Sequence, residues 1–352
     1  MPVYTGDDME ICAICRDIPP VLQPVINITH DECIVYSNDA TKIIWQENGH
    51  KELRPKSQGK SQHISGFVCP CHGFISLWGR TTFKIITPDK NADGWWTNER
   101  LVEQLEEVMP IFEETHPGCC LLFTFDNSQN HHARMPGGLC VDLLNKGDGG
   151  KNVKLQHEHT GTVYKGVHYT LNYDKINPDG TVTKVQKGTA HILRDRNEYQ
   201  PYYSAQRCAE ILSTHHDFAE EPEWLEQVVF ARGHNIIFLP KFHCELNYIE
   251  MIWAYTKSYL RRHCTFSFLA LKTDLPGVLL DIPLSAIRRF ERHCLRYMSG
   301  YREHNLHGPL LDYIMKKYKS HRRIPDTCTQ ETIAEYEREM NIKMEKKFAK
   351  VH

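Results

Sequence analysis

The sequence predicts an α/β fold: a mixed sheet flanked by helices, with a β-rich insertion and a helical C-terminal region. Three observations carry this. A strand, two further strands, a helix and another strand follow one another between residues 25 and 125, the order of a layered α/β structure. Residues 135–203 then turn glycine-rich, with short alternating runs between the turns. After Ser204 helical periodicity returns. The implied segments are an N-terminal stretch (1–24), a core in two parts (25–134 and 204–265), an insertion (135–203) and a helical, basic C-terminal region (266–352).

Taken in order, residues 25–31 are β-branched and run into the acid pair Asp31-Glu32. A turn at 37–40 precedes the apolar run 42–45. Residues 62–68 and 81–87 read as strands, with Gly73 and Gly79 between them. Leu101, Leu105, Val108 and Phe112 form an apolar stripe at spacings of four, three and four, so 98–114 is a helix. The continuous apolar run 119–125 has the character of a buried central strand, with Asp126 at its C-terminal end. Gly137-Gly138, Gly147, Gly149-Gly150 and the turn 177–180 punctuate the insertion. Residues 235–239 form a short strand, a helix follows from about 245 to 263, and more helices run from 266 onward.

Composition excludes several classes. With 352 residues at about 150 per domain, roughly two domains are expected. At 41% hydrophobic and 24% charged, the chain can bury a sizeable core. A net charge of −2 gives no global pull toward nucleic acid, so any basic surface must be local. The 13 cysteines lack framework spacing, which favours reduced thiols inside a cell. Asp7, Asp8 and Glu10 interrupt the N-terminus, so no signal peptide is expected there. Nowhere do about 18 apolar residues run together, so no membrane partner is expected either.

The motifs that carry chemistry lie after two strands. Phe123-Thr-Phe-Asp126-Asn127-Ser-Gln-Asn-His131 sets an acid and an amide directly behind a buried strand. Leu239-Pro-Lys-Phe-His-Cys-Glu-Leu-Asn247-Tyr-Ile-Glu250-Met-Ile-Trp253 sets another acid in a helix behind a second strand. On that helix Leu246, Ile249, Trp253, Thr256 and Leu260 share one face, and Asn247, Glu250, Ala254, Lys257 and Arg261 share another. An acid in line with two cations suits a helix that holds a metal ion and a phosphate together.

These segments resemble the catalytic core of mariner-type DDE transposases, which have an RNase H-like fold. Asp126, Asn127 and His131 match the pattern D-N-x-x-x-H, and Leu239, Pro240, Leu246, Asn247, Ile249, Glu250 and Trp253 match L-P-x-x-x-x-x-L-N-x-I-E-x-x-W. Asp31-Glu32 resembles the first acidic pair, and Trp45, Gly49, Arg54-Pro55 and Gly59 resemble the segment leading to the next strand. Lys241, Cys244 and Tyr248 stand where the family usually has proline. The resemblance implies metal-dependent cleavage of DNA phosphodiesters followed by strand transfer. Asp31, Asp126 and Glu250 would be the catalytic metal ligands, and Asn127, His131 and Asn247 would orient them or position phosphate. Two Mg²⁺ or Mn²⁺ ions about 3.5–4 Å apart would clamp the attacking and leaving oxygens. The three acids are separated by 94 and then 123 residues, so their convergence is the central expectation.

Only 30 residues precede Asp31, so the helix-turn-helix modules usual in that family are not expected here. Double-stranded DNA would then be held through phosphate contacts. Lys257, Arg261, Arg289, Arg292 and Arg296 are the candidate contacts, together with Lys316, Lys317, Lys319, Arg322 and Arg323. The last five also read as a nuclear import signal. The periodic segment 331–350 would dock on the core or on a second copy of the chain. The alternative is a catalytically inactive, transposon-derived module that binds DNA or protein. Structural zinc is not expected: it would need Cys12, Cys15, Cys69 and Cys71 to converge, and their spacing has no matched second half.

Overall fold

The central sheet has five strands, drawn from the β-branched, apolar and aromatic runs of the sequence. The computed structural model describes residues 3–13, 23–42, 54–136, 138–149, 161–317 and 332–342. The chain divides into two compact units, 1–128 with 229–352, and 129–228.

In the first unit the strands are β1 (Val25–Tyr36), β2 (Ser61–Val68), β3 (Phe83–Ile86), β4 (Cys120–Phe125) and β5 (Asn235–Phe238). They pair in the order β5-β4-β1-β2-β3. The first three in that order run parallel; β1–β2 and β2–β3 are antiparallel. Helix α1 (Asn98–Thr115) buries Leu101, Leu105, Val108 and Phe112, the predicted stripe, together with Gln104. Gln104 is not an unmet polar group. Its Nε2 donates to the Ser65 carbonyl at 3.0 Å, and its Oε1 accepts from Ser65 Oγ at 2.6 Å. Ser65 Oγ in turn lies 2.9 Å from His30 Nε2, so a buried polar chain links α1 to one face of the sheet.

The opposite face, presented by Cys33, Val35, Ile64 and Val68, packs against three more helices: α2 (Ile249–Arg262), α3 (Phe268–Leu280) and α4 (Leu284–His304). Tyr248, Ile249, Ile252 and Trp253 supply the α2 side of this cluster, and Leu271, Leu275, Leu279, Ile287 and Cys294 the rest. A shorter helix, α5 (Gly308–Lys317), buries Leu311, Ile314 and Met315. Residues 332–342 are helical. Among the described residues no helix is long and apolar enough to cross a membrane.

Three expectations need correction. The first strand does not stop at Asp31: β2 continues to pair with β1 as far as Tyr36, so Asp31 lies mid-strand. The segment 81–87 is interrupted at Thr82, whose hydroxyl and backbone turn aside to Ile75. Helix α2 begins at Ile249 rather than near 245, after a 3-10 turn Cys244–Leu246. Asn247 breaks the helix because its amide is spent on β1, as described below. Trp45, Gly49 and the run 43–45 lie outside the described residues, as do Lys319, Arg322 and Arg323.

The second unit has its own buried cluster, formed by Leu139, Leu171, Ala190, Ile192, Leu193, Cys208, Leu212 and Phe218. Two antiparallel hairpins, Gly161–Tyr164 with Val167–Thr170 and Asn172–Ile176 with Val182–Gln186, supply its β structure. The sequence places the insertion at 135–203, whereas the compact unit runs to 228. Helix Ala205–Ser213 and Phe218 share its cluster and so belong with it.

Candidate active site

Strand register sets the first two acids side by side. Thr29 of β1 is level with Thr124 of β4 in the parallel pair. Two residues on from each stand Asp31 and Asp126. The parallel ladder ends there, because the chain leaves β4 at Asp126 in a turn closed by Ser128 N–H donating to Asp126 Oδ1 at 3.2 Å. Glu250 enters from α2, where it is exposed in the first turn.

The three carboxyl groups feel one another. Burial pushes the Asp31 carboxyl up to about 8, and the charges of Glu250, Glu32 and Asp126 push the same way. Desolvation also raises Glu250; Asp126 adds to the rise and Lys257 opposes it. Acids drawn from residues 31, 126 and 250 therefore share one field. A cleft of about 230 Å³ opens at this point, lined by Asp126, Asn127, Ser128, Pro240, Asn247 and Glu250 among others.

Two side chains hold α2 in place. Asn247 is buried, its Oδ1 accepting from Thr29 Oγ1 and its Nδ2 donating to the His30 carbonyl at 3.2 Å. Tyr248, where the resembled family usually has proline, is fully buried and donates to the Val68 carbonyl at 2.8 Å. The start of α2 is thus stitched to β1 by one residue and to β2 by the next.

Trp253 has a polar role that sequence reasoning missed. Its indole Nε1 donates to Asp31 Oδ2 at 3.0 Å, while its ring stacks on Phe74. Gly66 makes room for it. This glycine sits level with Asp31 on β2, and a Cβ there would stand 2.8 Å from Phe74 and 3.0 Å from Trp253.

The remaining candidates divide. Asn127 lines the cleft beside Asp126. His131 is buried and belongs to the second unit. Lys257 lies close enough to Glu250 and Cys33 to lower both; burial nonetheless pushes the Cys33 thiol up to about 11. Arg261 pairs with Asp39 at 2.9 Å.

On α4 the arginines are not a free basic face. Arg289 donates to the Asp7 carbonyl at 2.9 Å and Arg292 to the Tyr4 carbonyl at 2.6 Å, so both grip the N-terminal hairpin (Val3–Thr5 with Ile11–Ala13). Arg296 lines a cleft of about 290 Å³ with them. Lys316 and Lys317 close α5. Of the four cysteines weighed for zinc, Cys15 lies outside the described residues and Cys12 is exposed. Cys69 and Cys71 instead come together with His116.

No family model matches this chain, and no curated protein does. Among solved structures, it is similar to the Mos1 mariner paired-end complex with Mn, at a TM-score of 0.43 and 9% identity over 80% of this chain and 56% of that one. The Mos1 transposase paired-end complex with the left transposon end gives 0.41 and 10% over 78% and 53%. The Mos1 strand transfer complex gives 0.39 and 11% over 80% and 55%. The chain spans just over half the length of these chains.

Proposed function

We propose that residues 25–128 and 229–265 form an RNase H-like catalytic core for divalent-metal-dependent cleavage of DNA phosphodiesters, of the DDE transposase type. One observation supports the reading: Asp126 at the end of β4 and Glu250 at the start of α2 line one cleft, and the charges of both act on Asp31 in mid-β1, although long stretches of chain separate the three. The donor set fits the group it would hold. Three carboxylates are hard oxygen ligands suited to Mg²⁺ or Mn²⁺, and their mutual repulsion is the kind a bound cation relieves. Asp31, Asp126 and Glu250 would hold the metal. When bound, it would activate water and stabilise the leaving oxygen.

The chain's own residues do the positioning. Trp253 fixes one oxygen of Asp31. Asn247 and Tyr248 fix the helix that carries Glu250. Lys257, two turns along the same face from Glu250, would draw a phosphate toward the acids. Double-stranded DNA is the proposed substrate, held mainly through its backbone, and a nuclear location would follow from that substrate.

The test is incubation of the protein with supercoiled DNA and Mg²⁺ or Mn²⁺, beside Asp31→Asn, Asp126→Asn and Glu250→Gln. Metal-dependent nicking by the parent and its loss in all three variants is the expected result; full activity in Asp126→Asn would overturn the assignment. The Trp253–Asp31 hydrogen bond favours a second reading, in which Asp31 is locked into the fold and the protein binds DNA or protein without cutting. Salt-sensitive DNA binding with no nicking in either metal would select it.

A further inference from the structure

We propose that Cys69, Cys71, His72 and His116 form a tetrahedral zinc site that ties the end of β2 to the end of α1. Cys69 is the first residue beyond β2 and is fully buried. The chain turns back at once: Gly73 N–H donates to the Cys69 carbonyl at 2.9 Å, and Cys69 N–H to the Gly73 carbonyl at 3.4 Å. Gly73 has φ +72°, which a side chain would strain, so Pro70-Cys71-His72 is folded into a tight knuckle. Within it His72 N–H points at Cys69 Sγ, 3.4 Å away.

His116 arrives from 47 residues along the chain, at the C-cap of α1. Its Nδ1 lies 2.9 Å from the Phe112 carbonyl, which can only accept. Nδ1 therefore carries the proton, and Nε2 presents a lone pair toward Cys69 Sγ at 3.8 Å. Backbone carbonyls hold metal-ligating histidines in this way. One ligand atom each from Cys69, Cys71 and His116 lie within 4.8 Å of one another. His72 Nδ1 stands 3.9 Å from Cys69 Sγ, on the exposed side and outside that mutual group, and would turn inward to take the fourth position.

Bond lengths decide between an ion and a set of weak hydrogen bonds. Zn–S of about 2.3 Å and Zn–N of about 2.0–2.1 Å at a tetrahedral angle put S and N about 3.6 Å apart. The two S···N separations here are 3.8 and 3.9 Å, long for hydrogen bonds and within a few tenths of an ångström of that edge. The Cys69–His116 edge needs little movement, and the exposed His72 side chain has to turn toward Cys71 and His116 to close the site.

The loop is also held from behind. Arg288 donates to the carbonyls of Pro70 at 2.9 Å and Cys71 at 3.1 Å, and to that of Met9 at 2.9 Å. Two thiolates and two neutral imidazoles suit Zn²⁺, whereas the three carboxylates of the cleft suit a harder ion. Four protein ligands leave no open position, so the site is structural. Because β2 pairs with β1 at the level of Asp31, the ion would brace the strand behind the acid cluster.

The experiment is metal analysis of the purified full chain together with Co²⁺ titration of the chelator-treated protein. One equivalent of zinc is expected, and one equivalent of Co²⁺ should give intense visible bands of a tetrahedral site with thiolate-to-cobalt charge transfer in the near ultraviolet. An oxygen-ligand site cannot give that charge transfer, so the carboxylate cluster does not confuse the readout. Cys71→Ser and His116→Gln should weaken metal retention at least about tenfold, and Asp126→Asn should leave it unchanged. Cys71 is less buried than Cys69, so its variant tests the site even if Cys69→Ser does not fold. Absence of both zinc and the cobalt spectrum in the parent would overturn the proposal. So would an unchanged spectrum in Cys71→Ser.

Discussion

Asp31 is a carboxyl with three constraints on it: burial, three neighbouring acids and an indole donor. Removing the indole while keeping the ring separates these effects. Trp253→Phe should cost no more than about 1.5 kcal/mol in a urea titration, the range of one hydrogen bond. Because Asp31 then loses its fixed rotamer, metal-dependent nicking is expected to fall about tenfold or more. Gly66→Ala should act mainly on stability. A Cβ between Phe74 and Trp253 overpacks the core, which costs about 1–3 kcal/mol, visible as a lower urea midpoint at unchanged m-value.

At the level of elements, the decisive joint is the one between β1 and the start of α2. Both ends of the Asn247 amide are satisfied there, so Asn247→Ala would leave a Thr29 hydroxyl and a His30 carbonyl without that partner. A loss of about 1–3 kcal/mol is expected from equilibrium denaturation. Tyr248→Phe should cost less, since only the Val68 carbonyl is left unmet. The same joint shows where periodicity misleads. Leu246 and Asn247 fit the helical repeat, yet the helix cannot include a residue whose side chain is bonded to the backbone of another strand.

Across the whole molecule, the two units have separate clusters and separate vulnerabilities. The second unit buries an ion pair, Arg196 with Asp217 at 2.6 Å, and both side chains are almost wholly enclosed. Burial alone would raise the Asp217 carboxyl, but hydrogen bonds from Arg196 and Thr162 outweigh it and hold it below its ordinary value. Its stabilisation is therefore present above the ordinary carboxylate range near pH 4 and is lost as pH falls through the depressed folded value. His215 adds to this. Burial lowers its imidazole despite Glu198, so the folded state resists protonation that the unfolded chain accepts near pH 6.5. Acidification from about pH 6.5 downward should weaken this unit progressively, as followed by hydrogen exchange of residues 161–217. Asp217→Asn should destabilise it by about 3–5 kcal/mol at neutral pH, because Arg196 is left buried without its partner.

The sequence by itself determined the local elements. β-branched runs and, at 119, a continuous apolar run marked the strands at 25, 62, 119 and 235; the four-three-four stripe marked α1; and two short motifs marked Asp126 and Glu250. These signals are local because each depends only on which neighbours share a face. Strand length was not legible, since β1 runs past Asp31 only because β2 is there to pair with it. The polar role of Trp253 and the engagement of Arg289 and Arg292 by the N-terminal hairpin were equally hidden, for their partners lie 222, 282 and 288 residues away. Tertiary structure alone decided that Asp126 and Glu250 line one cleft within electrostatic reach of Asp31 and that Cys69 meets His116 rather than Cys12. Such meetings are set by sheet register and helix docking, which depend on the summed packing of many residues and leave no mark in the spacing of the few that meet.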